Sequence, residues 1–349
     1  MKVLVTGGAG YIGSHVVRHL REQGHEVVVY DNLSTGFAWA VGDAELIEAD
    51  LADFERLRSV LNGGRFDGVL HFAAHIVVPE SVSNPIKYYA NNTRNTLNLL
   101  QACEESGVRF FVFSSTAAVY GIPHTASVAE DAPLQPINPY GASKMMSERM
   151  LMDLGAASGL RYVSLRYFNV AGADPQGRMG QATPDATHLI KVACQVVTGQ
   201  RDGITVFGTD YDTADGTCER DYIHVEDLAS AHVRALDYLE SGGISEVLNC
   251  GYGRGYSVLE VLEAVKRAGQ SNLNIHYGAR REGDPPALTA NAQRIRDVLG
   301  WQPKYDDLDL IVQHALAWER HCATPPTPGS DQDPGAHPGV GPSQVFVNK

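Results

Sequence analysis

Between residues 3 and 17 the chain reads VLVTGGAGYIGSHVV, an apolar strand, a glycine loop and an amphipathic helix in immediate succession. Gly7 permits a tight turn, Gly10 lets backbone N–H groups approach a phosphate at the helix start, and Gly13 lets the helix lie close on the strand. A strand–loop–helix unit of this spacing predicts a dinucleotide held at a helix N-terminus. The next strand, EVVVYD, ends on Asp31, 18 residues beyond Gly13. A carboxylate there accepts hydrogen bonds from a ribose diol and repels a 2′-phosphate, which predicts NAD rather than NADP. Asp50, closing LIEAD after a third strand, reads almost equally as a contact to the adenine and as a helix cap.

Such a unit needs parallel partners, and the chain supplies them. KVLVT, EVVVYD, FDGVLHFA, VRFFVFSS and RYVSLRYFN alternate with helical patterns. The predicted fold class is α/β: a Rossmann-type doubly wound parallel sheet with a smaller C-terminal α/β substrate domain. After Asn169 the texture changes to a glycine- and proline-rich loop and mixed short elements, with DYIHVEDLASAHVRALDYL reading as a helix start and run. The expected division is 1–168, with some later segments returning to it, then 169–322, then a proline- and glycine-rich, disordered tail at 323–349.

Composition excludes several classes. Of 349 residues 44% are hydrophobic and 20% charged, ordinary globular values, and no apolar run approaches the roughly 20 residues of a membrane helix. The N-terminus lacks a basic region followed by a long apolar stretch, so no secretory signal is expected. Five scattered cysteines without metal or redox spacing predict a reducing, cytoplasmic setting. A net charge of −13 argues against general nucleic-acid binding. His71, His75, His188, His224 and His232 show no metal-ligand spacing, and no metal is expected.

PYGASK places Tyr140 and Lys144 four residues apart on one face of a predicted helix. A free phenol, with a pKa of about 10, is a poor base at neutral pH. An ammonium beside it, helped by the positive nicotinamide of bound NAD, favours the phenolate and draws its pKa toward neutrality. Proton loss from a carbinol to Tyr140 as hydride leaves to NAD is alcohol oxidation, which joins this pair to the glycine loop in one reaction.

Together these residues resemble the extended short-chain dehydrogenase/reductase family, whose third catalytic member is a Ser or Thr ending the fifth strand. In FFVFSSTAAVYG that position falls on Thr116. VTGGAGYIGSH, DNLSTG, HFAA, YGASK, LRYFNVAGA, RDYIHVEDLA and REGDPPA resemble the branch of that family that interconverts UDP-glucose and UDP-galactose. The reaction so implied removes the proton of the sugar 4-hydroxyl to Tyr140 and the C4 hydride to NAD. The 4-keto sugar then turns within the pocket, and hydride returns to its opposite face. The resemblance implies cofactor contacts from Gly7, Gly10, Tyr11, Ile12, Gly13, Asp31, Asn32, Asp50, Leu51, Phe72, Ala73, Ala74, Asn91, Ser114, Tyr140, Lys144 and Tyr167. It implies UDP-sugar contacts from Thr116, Tyr140, Asn169, His188, Leu189, Phe207, Arg220, Arg281, Asp284 and Leu288, with Arg220 and Arg281 on the phosphates and Phe207 flanking the uracil. A homodimer through helices including 85–105 and the one carrying Tyr140 is also implied. Ile76 stands where many such enzymes place a lysine. Ala117 and Ala118 replace the acid–base pair a 4,6-dehydratase needs, which disfavours elimination. Leu288 is of intermediate size, so N-acetylated and pentose UDP-sugars stay open as substrates, as does a nonenzymatic sensor of NAD or UDP-sugar.

Overall fold

The computed structural model describes residues 1–183, 185–281 and 283–323. The predicted tail lies, beyond Ala323, outside the described residues. In chain order the strands are β1 (Lys2–Thr6), β2 (Glu26–Asp31), β3 (Glu45–Glu48), β4 (Gly68–His71), β5 (Phe110–Thr116), β6 (Ser127–Val128) and β7 (Arg161–Tyr167), followed by β8 (Asn169–Ala171), β9 (Ile204–Phe207), β10 (Glu219–His224), β11 (Glu246–Cys250), β12 (Gly255–Ser257), β13 (Ile275–Gly278) and β14 (Ala287–Ala290). Seven of them form one sheet in the order β11-β7-β5-β4-β1-β2-β3, and every pairing in it is parallel.

Alternation along each strand feeds two apolar layers. Val3, Val5, Phe110 and Val112 enter one cluster, with Val16 and Leu20 of the Tyr11–Glu22 helix and Leu228 and Leu236 of the Val225–Glu240 helix. Leu4, Phe111 and Phe113 enter the other, with Leu57, Leu99 and Leu151 from helices Phe54–Gly64, Asn95–Ser106 and Pro139–Ala157. Helices thus cover both faces, the condition under which a wholly parallel sheet persists.

Strands β12-β10-β14-β6 make a second sheet, with β8 also pairing β10, and β9 pairs β13 separately. Asp221 of β10 binds these parts together: its buried carboxylate accepts the backbone N–H groups of Tyr252, Gly253 and Ala290 at 2.8–3.1 Å.

Three local expectations are corrected. The run RYVSLRYFN is two strands, because the chain leaves the large sheet after Tyr167 and joins β10 from Asn169. The segment DYIH belongs to β10 rather than to a helix; the helix starts at Val225, where the His224 ring accepts the Glu226 N–H at 3.1 Å as its cap. The stretch 85–105 is not one helix. A short helix, Pro85–Tyr88, passes into a π-helical turn, Tyr89–Arg94, and then into Asn95–Ser106. Among the described residues no helix is long and apolar enough to cross a membrane.

Candidate active site

The register of the large sheet aligns the ends of its strands. Thr6 pairs with His71, His71 with Phe113, and Thr116 with Tyr167. The residues that follow (the glycine loop, Phe72–Ala74 and the Ser114–Thr116 edge) therefore share one carboxyl-end crevice, where the strand order reverses between β1 and β4. Open α/β sheets bind ligands at such a point.

Each glycine has its own geometry there. Gly7 has φ +73°, and a Cβ on it would lie 2.4 Å from the Ala73 nitrogen. On Gly13 a Cβ would lie 2.2 Å from the Gly7 carbonyl oxygen, so helix and strand are in contact. Gly10 is open: its Cβ would meet only the Gly7 oxygen, at 3.3 Å. That gap over a helix start fits a pyrophosphate. Tyr11 turns its hydroxyl to the Gly172 carbonyl at 2.7 Å, tying this helix to the second half of the chain.

Asp31 braces the loop. Its carboxylate oxygens accept the N–H groups of Ala9 at 3.0 Å and Leu33 at 2.8 Å, and each keeps a lone pair for a ribose hydroxyl. Asp50 accepts the Asn32 amide at 2.7 Å and the Ala52 N–H at 2.8 Å. The helix cap is Asp53, which receives the Arg56 N–H at 3.0 Å, so the capping alternative for Asp50 falls. Leu51 is buried beside this pair, and Ile12 is half-buried at the loop. Phe72 and Ala73 both donate to the Thr6 carbonyl. Ala74 is half-buried beyond them, whereas Ile76 is exposed.

The helix Pro139–Ala157 begins at the crevice because Asn138 caps it, accepting the Gly141 N–H at 2.8 Å, and Pro139 occupies the first turn. Tyr140 and Lys144 are both buried. Lys144 Nζ donates to the Ser114 carbonyl at 2.8 Å and lies 4.9 Å above the Phe113 ring. The Ser114 hydroxyl is hydrogen-bonded to the Tyr167 phenol. Burial draws the Lys144 ammonium down to about 7, against the opposing pull of the Glu148 carboxylate. Burial pushes the Tyr140 phenol above its ordinary value, and the Thr116 side chain opposes that shift.

Support behind the crevice was harder to foresee. Asn92, on the π-helical turn, accepts the His75 N–H at 2.8 Å and donates to the His75 carbonyl at 2.9 Å and to the Ser143 hydroxyl at 3.1 Å. It joins the β4 loop to the Tyr140 helix, while Asn91 donates to it at 3.1 Å. Thr6 and Thr96 hold the His71 ring at 2.7 and 2.9 Å, and burial with the Lys144 charge pulls that imidazole down to about 3. No spacing in the sequence flags Asn92. His71 carries a signal as the polar end of the apolar strand FDGVLHFA, and packing with hydrogen bonding is the role its lack of metal-ligand spacing favours.

Several of the residues that the resemblance links to a UDP-sugar have neighbours in the second half of the chain. Arg220 lies in register with Leu288, and Asn169 with Tyr222 of the same strand. Arg220 donates to the Pro285 carbonyl at 2.9 Å and to Asp284 at 3.4 Å. The Arg281 guanidinium lies 4.1 Å over the Phe207 ring, so Phe207 is not a bare platform. His188 receives the Gln181 amide at 2.9 Å just before Leu189 opens its helix.

This glycine crevice, with a Tyr–Lys–Thr triad at its edge, defines a class: the chain belongs to the NAD dependent epimerase/dehydratase family, which matches residues 3–251. Its relatives narrow the class. A UDP-glucose 4-epimerase of Azospirillum brasilense is 59% identical over 320 residues, 91% of this chain and 92% of that one. The crystal structure of UDP-glucose 4-epimerase from Brucella ovis in complex with NAD superposes with a TM-score of 0.88 at 45% identity, over 90% of this chain and 97% of that one. The UDP-Glc/GlcNAc 4-epimerase from Campylobacter jejuni gives a TM-score of 0.82 at 50% identity, over 92% and 99%.

Proposed function

We propose that this protein is an NAD-dependent 4-epimerase that interconverts UDP-glucose and UDP-galactose, with Tyr140, Thr116 and Lys144 as its catalytic residues. The observation that carries this reading is the buried pair Tyr140 and Lys144 on one helix, with the Lys144 ammonium tied to the Ser114 carbonyl two residues before Thr116, at the edge of a crevice whose glycine loop fits a pyrophosphate. Tyr140 takes the proton of the sugar 4-hydroxyl, and the Thr116 hydroxyl donates to the same oxygen as charge grows on it. Lys144, when protonated, stabilises the phenolate. NAD, when bound, supplies the hydride acceptor and donor for C4 and a cation beside the phenol. The loop from Gly7 to Gly13 with Tyr11 and Ile12 holds its pyrophosphate, Asp31 its adenosine ribose, and Asn32, Asp50 and Leu51 its adenine end.

Arg220 and Arg281 hold the UDP phosphates, Asp284 the uridine ribose and Phe207 the uracil, while Asn169, His188 and Leu189 close the pocket. Residues 1–168, joined by β11, form the NAD-binding part, and 169–322 the UDP-sugar part. Two copies associate, and the protein works in the cytoplasm; free cysteines at 103, 194, 218, 250 and 322 support that setting.

The purified protein, given UDP-galactose and no NAD, should produce UDP-glucose to an equilibrium ratio in proton NMR spectra. That outcome requires retained cofactor, because hydride must return to the sugar it left. Unchanged UDP-galactose even with NAD supplied would rule the reading out, and the same assay on UDP-N-acetylgalactosamine measures how much room Leu288 leaves.

A further inference from the structure

Glu148 lies one turn beyond Lys144 on the same helix and is buried, yet the reaction as described makes no use of it. Its carboxylate receives the Ser115 hydroxyl. From the opposite strand Arg166 donates to it through Nε at 2.9 Å and Nη2 at 2.6 Å. Arg166 is itself anchored, donating to the Tyr120 phenol at 3.0 Å and the Glu130 carbonyl at 3.1 Å. Ser115 is the neighbour of both Ser114, which holds Lys144, and Thr116, and it pairs in register with Arg166. One carboxylate thus clamps the Ser114–Thr116 edge to the helix that carries Tyr140 and Lys144.

We propose that Glu148 is a positioning residue for the epimerisation: it clamps that strand end to the helix and supplies the counter-charge for the Lys144 ammonium. This rests on the function proposed above. The groups around Lys144 are few. On its own helix they are Tyr140 and Glu148, on β4 the neutral His71, and on β5 and β7 the Ser114 carbonyl and the Tyr167 phenol. Among these Glu148 is the carboxylate that acts on Lys144. Around Glu148 stand Arg166, Ser115 and the phenols of Tyr120 and Tyr162.

The test is the pH profile of UDP-galactose conversion for wild type, Glu148→Gln and the double variant Glu148→Gln/Arg166→Gln. The glutamine still accepts from Ser115 but carries no charge. Its alkaline limb in kcat should move to lower pH by about one unit, with KM changed less than about twofold. Because the single variant leaves a buried guanidinium without its partner, the double variant removes both charges and restores a neutral, hydrogen-bonded pair. Its melting temperature should return toward wild type while its alkaline limb stays displaced. A double variant with the wild-type limb would overturn the counter-charge role, and wild-type kcat in both variants would overturn the clamp as well. Inactive wild-type protein would instead remove the function on which the inference rests, so the two failures are distinct.

Discussion

A fully buried ammonium is a burden on the fold, and Lys144 shows how that burden runs with pH. Its proton is held with a pKa of about 7, against an ordinary value of 10.5. Between those values the unfolded chain keeps a proton that the folded chain has released, so stability rises with pH across the window. Below pH 7 the whole penalty is present, on the order of a few kcal/mol. Lys144→Met should therefore melt at a higher temperature than wild type at pH 6, with the gain shrinking by pH 9, while epimerisation falls about 10²–10⁴-fold. Calorimetry at both pH values checks it, and a variant that melts lower at pH 6 would mean that the bond to the Ser114 carbonyl outweighs burial. Tyr140→Phe separates binding from chemistry. It should keep NAD and bind UDP while conversion falls by a similar factor; titration calorimetry with UDP beside the NMR assay reads both, and full activity in the phenylalanine variant would remove Tyr140 as the base.

Helix, strand and loop in the first half were legible because each glycine answers to a steric demand that sequence spacing exposes. Gly13 meets the Gly7 carbonyl and Gly10 faces an open groove, and these two positions predict different failures. Gly13→Ala should push the Tyr11–Glu22 helix off β1, costing about 1–3 kcal/mol and the bound NAD together. Gly10→Ala should keep the melting temperature of the NAD-free protein within a few degrees and lose NAD alone, read as cofactor released on denaturation. Equal losses of stability in the two variants would contradict this division. The π-helical turn at Tyr89–Arg94 was not legible, since hydrophobic period does not distinguish it from a continuous helix. Its consequence is chemical, for it lets Asn92 reach both His75 and Ser143.

For the whole molecule, legibility falls along the chain. The large parallel sheet announces itself in runs such as EVVVYD, whereas β6, β8 and β12 are two or three residues long and carry no period to read. What joins them is long-range, as when the Asp221 carboxylate gathers N–H groups from 31 to 69 residues away. Residues such as Arg220 and Phe207 were therefore reached through resemblance and not through spacing. The helix that carries Tyr140 and Lys144 toward the crevice has Met146 and Met152 exposed, and Leu97 is exposed on the Asn95–Ser106 helix packed against it. A chain of net charge −13 brings such a surface against a second copy only if apolar burial exceeds the mutual repulsion. A stable dimer buries about 1,200–2,000 Å² in total. Leu97→Glu with Met152→Glu sets two carboxylates into that face in each copy, and light scattering after size exclusion should report half the wild-type mass. Because Leu97 and Met152 are exposed and are not among the residues that line the cofactor crevice, the monomer should keep its NAD. A variant that remains dimeric would place the interface elsewhere, and a wild type that is already monomeric would leave the Tyr140 helix supported by its own chain alone.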